Sequence, residues 1–70
     1  MERMNVKSSN VASVGYNETQ KIMEIEFHSG GIYQYLNVEK TTYLELMKAS
    51  SKGKYFHNHI LNKYPTKKIS

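Results

Sequence analysis

The chain reads as a small α+β domain of order β-β-β-α-α, a three-stranded antiparallel meander followed by two helices packed on one face. Three observations predict it. Residues Lys21 to His28 alternate, with Met23, Ile25 and Phe27 pointing one way and Glu24, Glu26 and His28 the other, the period of a half-buried strand. Ser29-Gly30-Gly31 follows as a hairpin connection, because glycine takes positive φ without steric cost. After Leu36 the period changes: Tyr43, Leu46, Met47 and Ser50 fall at i, i+3, i+4, i+7, the stripe of an amphipathic helix.

The elements follow in order. Met1 to Lys7 has no clear period and reads as a flexible arm. Ser8-Ser9-Asn10 is a turn-like lead into a first strand, Val11 to Tyr16. Asn17-Glu18-Thr19-Gln20 is a polar loop, and Ile32 to Leu36 returns as the third strand. The first helix spans Glu39 to Ala49, with Glu39 and Lys48 placed to suit its dipole. Ser50-Ser51 offers a fresh N-cap, Gly53 loosens the connection, and the second helix runs to about Tyr64 before Pro65. Residues 65–70 are then a short basic tail.

Composition bounds the function. Seventy residues make one domain, 1–70, with a thin core and no room for a deep cleft between lobes. There is no cysteine, which excludes disulfides and thiolate metal sites. No apolar run is long enough for a signal peptide or a membrane span, so the expected location is cytoplasmic. The charge is one-ended. Residues 51–70 carry Lys52, Lys54, Lys63, Lys67 and Lys68 with no acid, whereas all six acids lie at or before Glu45. Such a field attracts phosphate backbones or acidic protein surfaces.

Taken together, these motifs resemble the KTSC domain family, a short module found alone in bacterial and phage proteins and at the C-terminus of some lysyl-tRNA synthetases. The resemblance runs from about Val6 to Ile69 and rests on three stretches. They are Ser8-Ser9-Asn10-Val11-Ala12-Ser13-Val14-Gly15-Tyr16, then Phe27-His28-Ser29-Gly30-Gly31-Ile32-Tyr33-Gln34-Tyr35, then Ala49-Ser50-Ser51-Lys52-Gly53-Lys54-Tyr55-Phe56 followed by Ile60. Val38-Glu39 stands where the family usually has Val-Pro, and His57 where it usually has asparagine. What the resemblance implies about function is a role in RNA binding.

Tyr33 and Tyr35 share one face of the third strand, the spacing by which a sheet stacks two bases. Alternation favours the core for both, with Gln34, Glu24 and Glu26 together on an open, wet face that would repel phosphate. On the second helix, Phe56, Ile60 and Tyr64, flanked by His57 and Leu61, form the inward stripe. The opposite arc collects Lys52, Lys54, Tyr55, Asn58, His59, Asn62 and Lys63. That mixture suits phosphate contacts, with partly free N–H groups near Ser51 and Gly53 as an anion seat; an ordinary solvated face has the same composition. His57 and His59 lie about 200° apart and cannot grip one metal together, so no metal site and no cofactor is expected. Without aspartate or a Gly-x-Ser-x-Gly turn, no catalytic constellation forms, and the chain reads as a non-enzyme. Ser8-Ser9-Asn10 and Ser51-Lys52-Gly53-Lys54 are explained as turn and cap; side by side in space they would frame a polar pocket.

The function expected is a small basic binding module that takes nucleic acid, RNA ahead of duplex DNA, on the outer face of the second helix, with Lys67 and Lys68 as an electrostatic tether. The alternative is a protein-interaction adaptor using a sheet edge or a homodimer.

Overall fold

A computed structural model covering residues 1–70 places the alternating segment at the centre of a five-stranded antiparallel sheet of order β1-β2-β3-β4-β5. The strands are β1 (Met4–Asn5), β2 (Val11–Asn17), β3 (Ile22–Phe27), β4 (Ile32–Tyr35) and β5 (Thr66–Lys68), with α1 (Lys40–Lys48) and α2 (Lys52–His59) between β4 and β5. The α+β class stands; the three-stranded meander is corrected to five strands. Both added strands are short and exposed, so neither shows an alternating pattern. The arm pairs Met4 with Val14 and Asn5 with Ser13. The basic tail pairs Thr66, Lys67 and Lys68 with Tyr35, Gln34 and Tyr33. The backbones of β2 and β4 supply hydrogen bonds that no side-chain pattern announces.

The turns follow from local chemistry. Ser8 Oγ accepts from the N–H groups of Asn10 and Val11 at 3.3 and 3.2 Å. Asn17 Oδ1 accepts from the Gln20 N–H at 2.9 Å. In the β3–β4 hairpin Gly30 sits at φ 114°, where a side chain would be strained. A bulge in β2 between Val11 and Ser13 places Val11 and Val14, three apart, on the same face.

That face is the core. Val11, Val14, Met23, Ile25 and Tyr35 from the sheet meet Val38, Leu46 of α1 and Ile60 beyond α2 in one buried cluster. Tyr16 stacks on Tyr43 of α1 with centroids 4.9 Å apart, and its hydroxyl donates to the Val38 carbonyl at 2.6 Å. Phe56 of α2 meets Phe27 and Tyr35 edge-on at 5.1 and 5.6 Å. Both helices therefore lie on one side. Truncating Ile60 or Leu46 to alanine would open a cavity costing about 2–5 kcal/mol.

Candidate nucleic-acid interface

Ser51 caps α2, its hydroxyl accepting from the Lys54 N–H at 3.3 Å. The helix ends at Ile60 instead of Tyr64, because the chain turns through Asn62 at φ 62°, a left-handed geometry that asparagine tolerates. The inward stripe is Phe56, Ile60 and Tyr64; His57 and Leu61, expected to flank it under cover, are exposed.

The basic residues do not form one strip. Lys52 and Lys54, two positions apart, project about 200° from each other. Lys52 is half-buried, and its ammonium donates to the Ala49 carbonyl at 3.1 Å. Tyr55 donates its hydroxyl to Glu45 at 2.7 Å and lies against His59, ring centroids 4.5 Å apart. Burial, then the hydrogen bond to Glu45, push that phenol up to about 12. Tyr55 is thus held by a carboxylate. Exposed Lys54, Asn58 and His59 remain on α2, with exposed Asn62 and Lys63 on the turn after it. Paired with Tyr33, Lys68 shares the helix-bearing face; paired with Gln34, Lys67 shares the opposite one.

The face carrying Glu24 and Glu26 is not open. The arm crosses it at Gly15, where a Cβ would stand 2.5 Å from the Glu2 carbonyl oxygen. Arg3 pairs with Glu24 and donates through Nε to Ser13 Oγ at 2.9 Å. Ser13 donates in turn to Glu26 at 2.9 Å, and Gln34 donates to Glu24 at 2.9 Å. Glu24 is left 4% exposed. Burial alone would raise its pKa, but the hydrogen bonds from Gln34 and Arg3 and the guanidinium charge outweigh it and hold the carboxyl below the ordinary value. Alternation predicts an open, wet face here; the arm that covers Glu24 has no pattern to reveal it. Tyr33 and Tyr35 face the helices, Tyr35 buried and Tyr33 half-buried. Burial raises the Tyr35 phenol to about 12.

The Ser8-Ser9-Asn10 and Ser51-Lys52-Gly53-Lys54 segments do lie side by side: a Cβ on Gly53 would sit 2.8 Å from Asn10 Nδ2. Between them opens a cleft of about 390 Å³ lined by Ser9, Asn10, Phe27, His28, Ser29, Gly53, Phe56 and His57. Across the Phe27–Phe56 contact a second groove of about 300 Å³ is lined by Tyr33, Tyr35, Leu61, Asn62 and Thr66 as well as the two phenylalanines. His28 and His57 were not tied to this cleft by the sequence. The one available signal was the position of His28 next to the Ser29-Gly30-Gly31 turn.

The chain is a small basic α+β module with a polar cleft at the seam of sheet and second helix. The chain belongs to the KTSC domain family, whose model matches residues 7–64. It is 38% identical in sequence to a KTSC domain protein from Yersinia pestis of known crystal structure, superposing with a TM-score of 0.96 over 99% of this chain and 97% of that one. An uncharacterised protein of Stutzerimonas stutzeri is 39% identical over 57 residues, covering 81% of this chain and 80% of that protein. A lysine–tRNA ligase of Trichormus variabilis is 40% identical over 55 residues, which is 79% of this chain and only 10% of the ligase. One of a Nostoc species is 36% identical over 64 residues, 91% of this chain and 11% of the ligase. No helix is long and apolar enough to cross a membrane.

Proposed function

We propose that this chain is a small binding module that captures single-stranded RNA through the exposed side of α2 and the turn that follows it. One observation carries the reading: the charges are segregated. Arg3, Lys21 and Lys40 are ion-paired with Glu24, Glu39 and Glu18, and all three pairs draw on acids from the first part of the chain. The five lysines after residue 50 have no carboxylate in ion-pair range, and no acid follows Glu45. A merely solvated surface mixes both signs. Lys54 and Lys63 meet phosphates, Lys68 extends the field along β5, and Asn58, His59 and Asn62 donate hydrogen bonds to phosphate and sugar. Lys52 and Tyr55, already engaged, hold the surface in place. Similarity to a segment of lysine–tRNA ligases, proteins named for an RNA, is in keeping with this reading.

The test is an NMR titration with a short single-stranded RNA at two salt concentrations. The expected result is affinity falling by about 0.7 log units per log unit of salt for each phosphate neutralised, with shifts on α2 and residues 61–63. Reversing charge at Lys54, Lys63 and Lys68 together should abolish binding; full-strength binding by that variant rules this surface out.

A second reading has its own observation. The outer edge of β5 is unpaired in the sheet order, with Ile69 42% exposed beside it, so a partner strand or a second copy could add there. Lysines on a short edge strand oppose that use. Light scattering that shows a dimer, with no response to RNA, would favour it.

A further inference from the structure

We infer that the cleft beside α2 is a nucleotide seat, taking one nucleotide of a bound strand with its base against Phe27 and Phe56 and its phosphate toward Ser29 and His57. This rests on the strand-capture reading above. The volume, about 390 Å³, lies within the roughly 300–1,000 Å³ of small-molecule sites. The lining divides by chemistry. Phe27 and Phe56 meet edge-to-face at 5.1 Å, and both are half-buried, so ring surface remains for a heteroaromatic partner. Around them the side chains of Asn10, Ser29 and His57 make no hydrogen bond to the rest of the protein. Their polar groups are left for a ligand. His28 approaches the Ser8 carbonyl through Nε2 at 3.1 Å; a carbonyl only accepts, so Nε2 carries the hydrogen and Nδ1 remains for the ligand.

The ligand class follows from what is present and what is missing. A carboxamide offers donor and acceptor together, the pattern that pairs with the edge of an adenine. No carboxylate lines the cleft, so a phosphate there meets N–H and O–H donors without like-charge repulsion. The absence of a side chain at Gly53 is part of the build. With a Cβ 2.8 Å from Asn10 Nδ2, any larger residue would displace the amide from the rim.

The experiment is a set of parallel NMR titrations of the full chain with adenosine monophosphate, adenosine, inorganic phosphate and a short oligoadenylate. Adenosine monophosphate should move the Asn10 side-chain amide and the Ser29, Gly53 and His57 amides, and neither adenosine nor phosphate alone should match it. Asn10→Ala and His57→Ala should each weaken the mononucleotide by about fivefold or more, the scale of one lost hydrogen bond, with the remaining spectrum undisturbed. If the mononucleotide leaves the cleft unmoved while oligoadenylate shifts the Lys54 and Lys63 resonances, the seat is overturned and strand capture stands. Phosphate alone matching the mononucleotide overturns the base-binding half. An oligoadenylate that moves nothing anywhere overturns strand capture, and the seat with it.

Discussion

On the sheet face turned away from the helices, Glu24 is met by Arg3 and Gln34, and Glu26 by Ser13. On the α2 side, Lys54 and Lys63 are exposed and have no carboxylate in ion-pair range. Both surfaces are polar, and from composition either could be a solvated face. The difference lies in what the chain brings to them. The arm lays Arg3 over the first and buries its charge in a closed network. On the second, the carboxylate of Glu45 is taken up by the Tyr55 hydroxyl and forms no ion pair with Lys54 or Lys63, so their charge stays directed outward. A charge that is answered at close range and buried serves stability; one left open is available to a partner.

That contrast can be broken most decisively at Arg3. Arg3→Ala strands the Glu24 carboxylate in a site where it is 4% exposed, and the expected loss is about 2–4 kcal/mol, below the full cost of a wholly buried pair because the Arg3 side chain keeps 26% exposure. Urea denaturation measures it, and adding Glu24→Gln should restore most of the loss. A cost under about 0.5 kcal/mol would mean the network is no more than a surface pair.

Gly15 comes next. A valine there would collide with the Glu2 backbone, where even a Cβ would stand 2.5 Å from the carbonyl oxygen, and lift the arm. About 1–3 kcal/mol should be lost, together with the hydrogen-exchange protection of β1. Retained protection would show that the arm is not held by this crossing.

The pH dependence sharpens the contrast. Glu24 is held below its ordinary 4.5, so its contribution is complete above about that pH and is lost as pH falls through the lower folded value. Tyr35 and Tyr55 run the opposite way. Raised from 10.0 to about 12, they contribute fully below pH 10 and lose that contribution as pH climbs toward 12. Thermal melts across pH should show both limbs, and Glu24→Gln should flatten only the acid one. An unchanged acid limb in that variant removes Glu24 as its source.

The smallest effect on stability belongs to the open side. Lys54→Glu with Lys63→Glu should leave stability within about 0.5 kcal/mol while RNA binding falls sharply. A large stability change would show these lysines to be structural.

Much of this was legible in the sequence for a physical reason. The Met23, Ile25, Phe27 alternation and the Tyr43, Leu46, Met47 spacing record burial directly, and both marked true elements. The Tyr33 and Tyr35 orientation followed from the same rule. Strands two or three residues long record nothing, since Met4–Asn5 and Thr66–Lys68 are held by their neighbours' backbones. The bulge hid the partnership of Val11 with Val14 by breaking the period. Asn62 ended α2 before Pro65 could, a backbone preference that helical spacing does not weigh. The cleft was half legible: its two framing segments stood out, but His28 and His57 arrive through pairing across the fold.

The hydrogen-bonded neighbours β4 and β5 are separated in the chain by residues 36–65, which carry both helices. Closing that long an excursion costs configurational entropy that the short β5 ladder alone is poorly placed to recover. The last rung, where the Ile32 N–H donates to the Ser70 carbonyl at 3.0 Å, is therefore a sentinel. It should zip only after Leu46 and Ile60 have docked, and its amide should exchange as soon as they loosen.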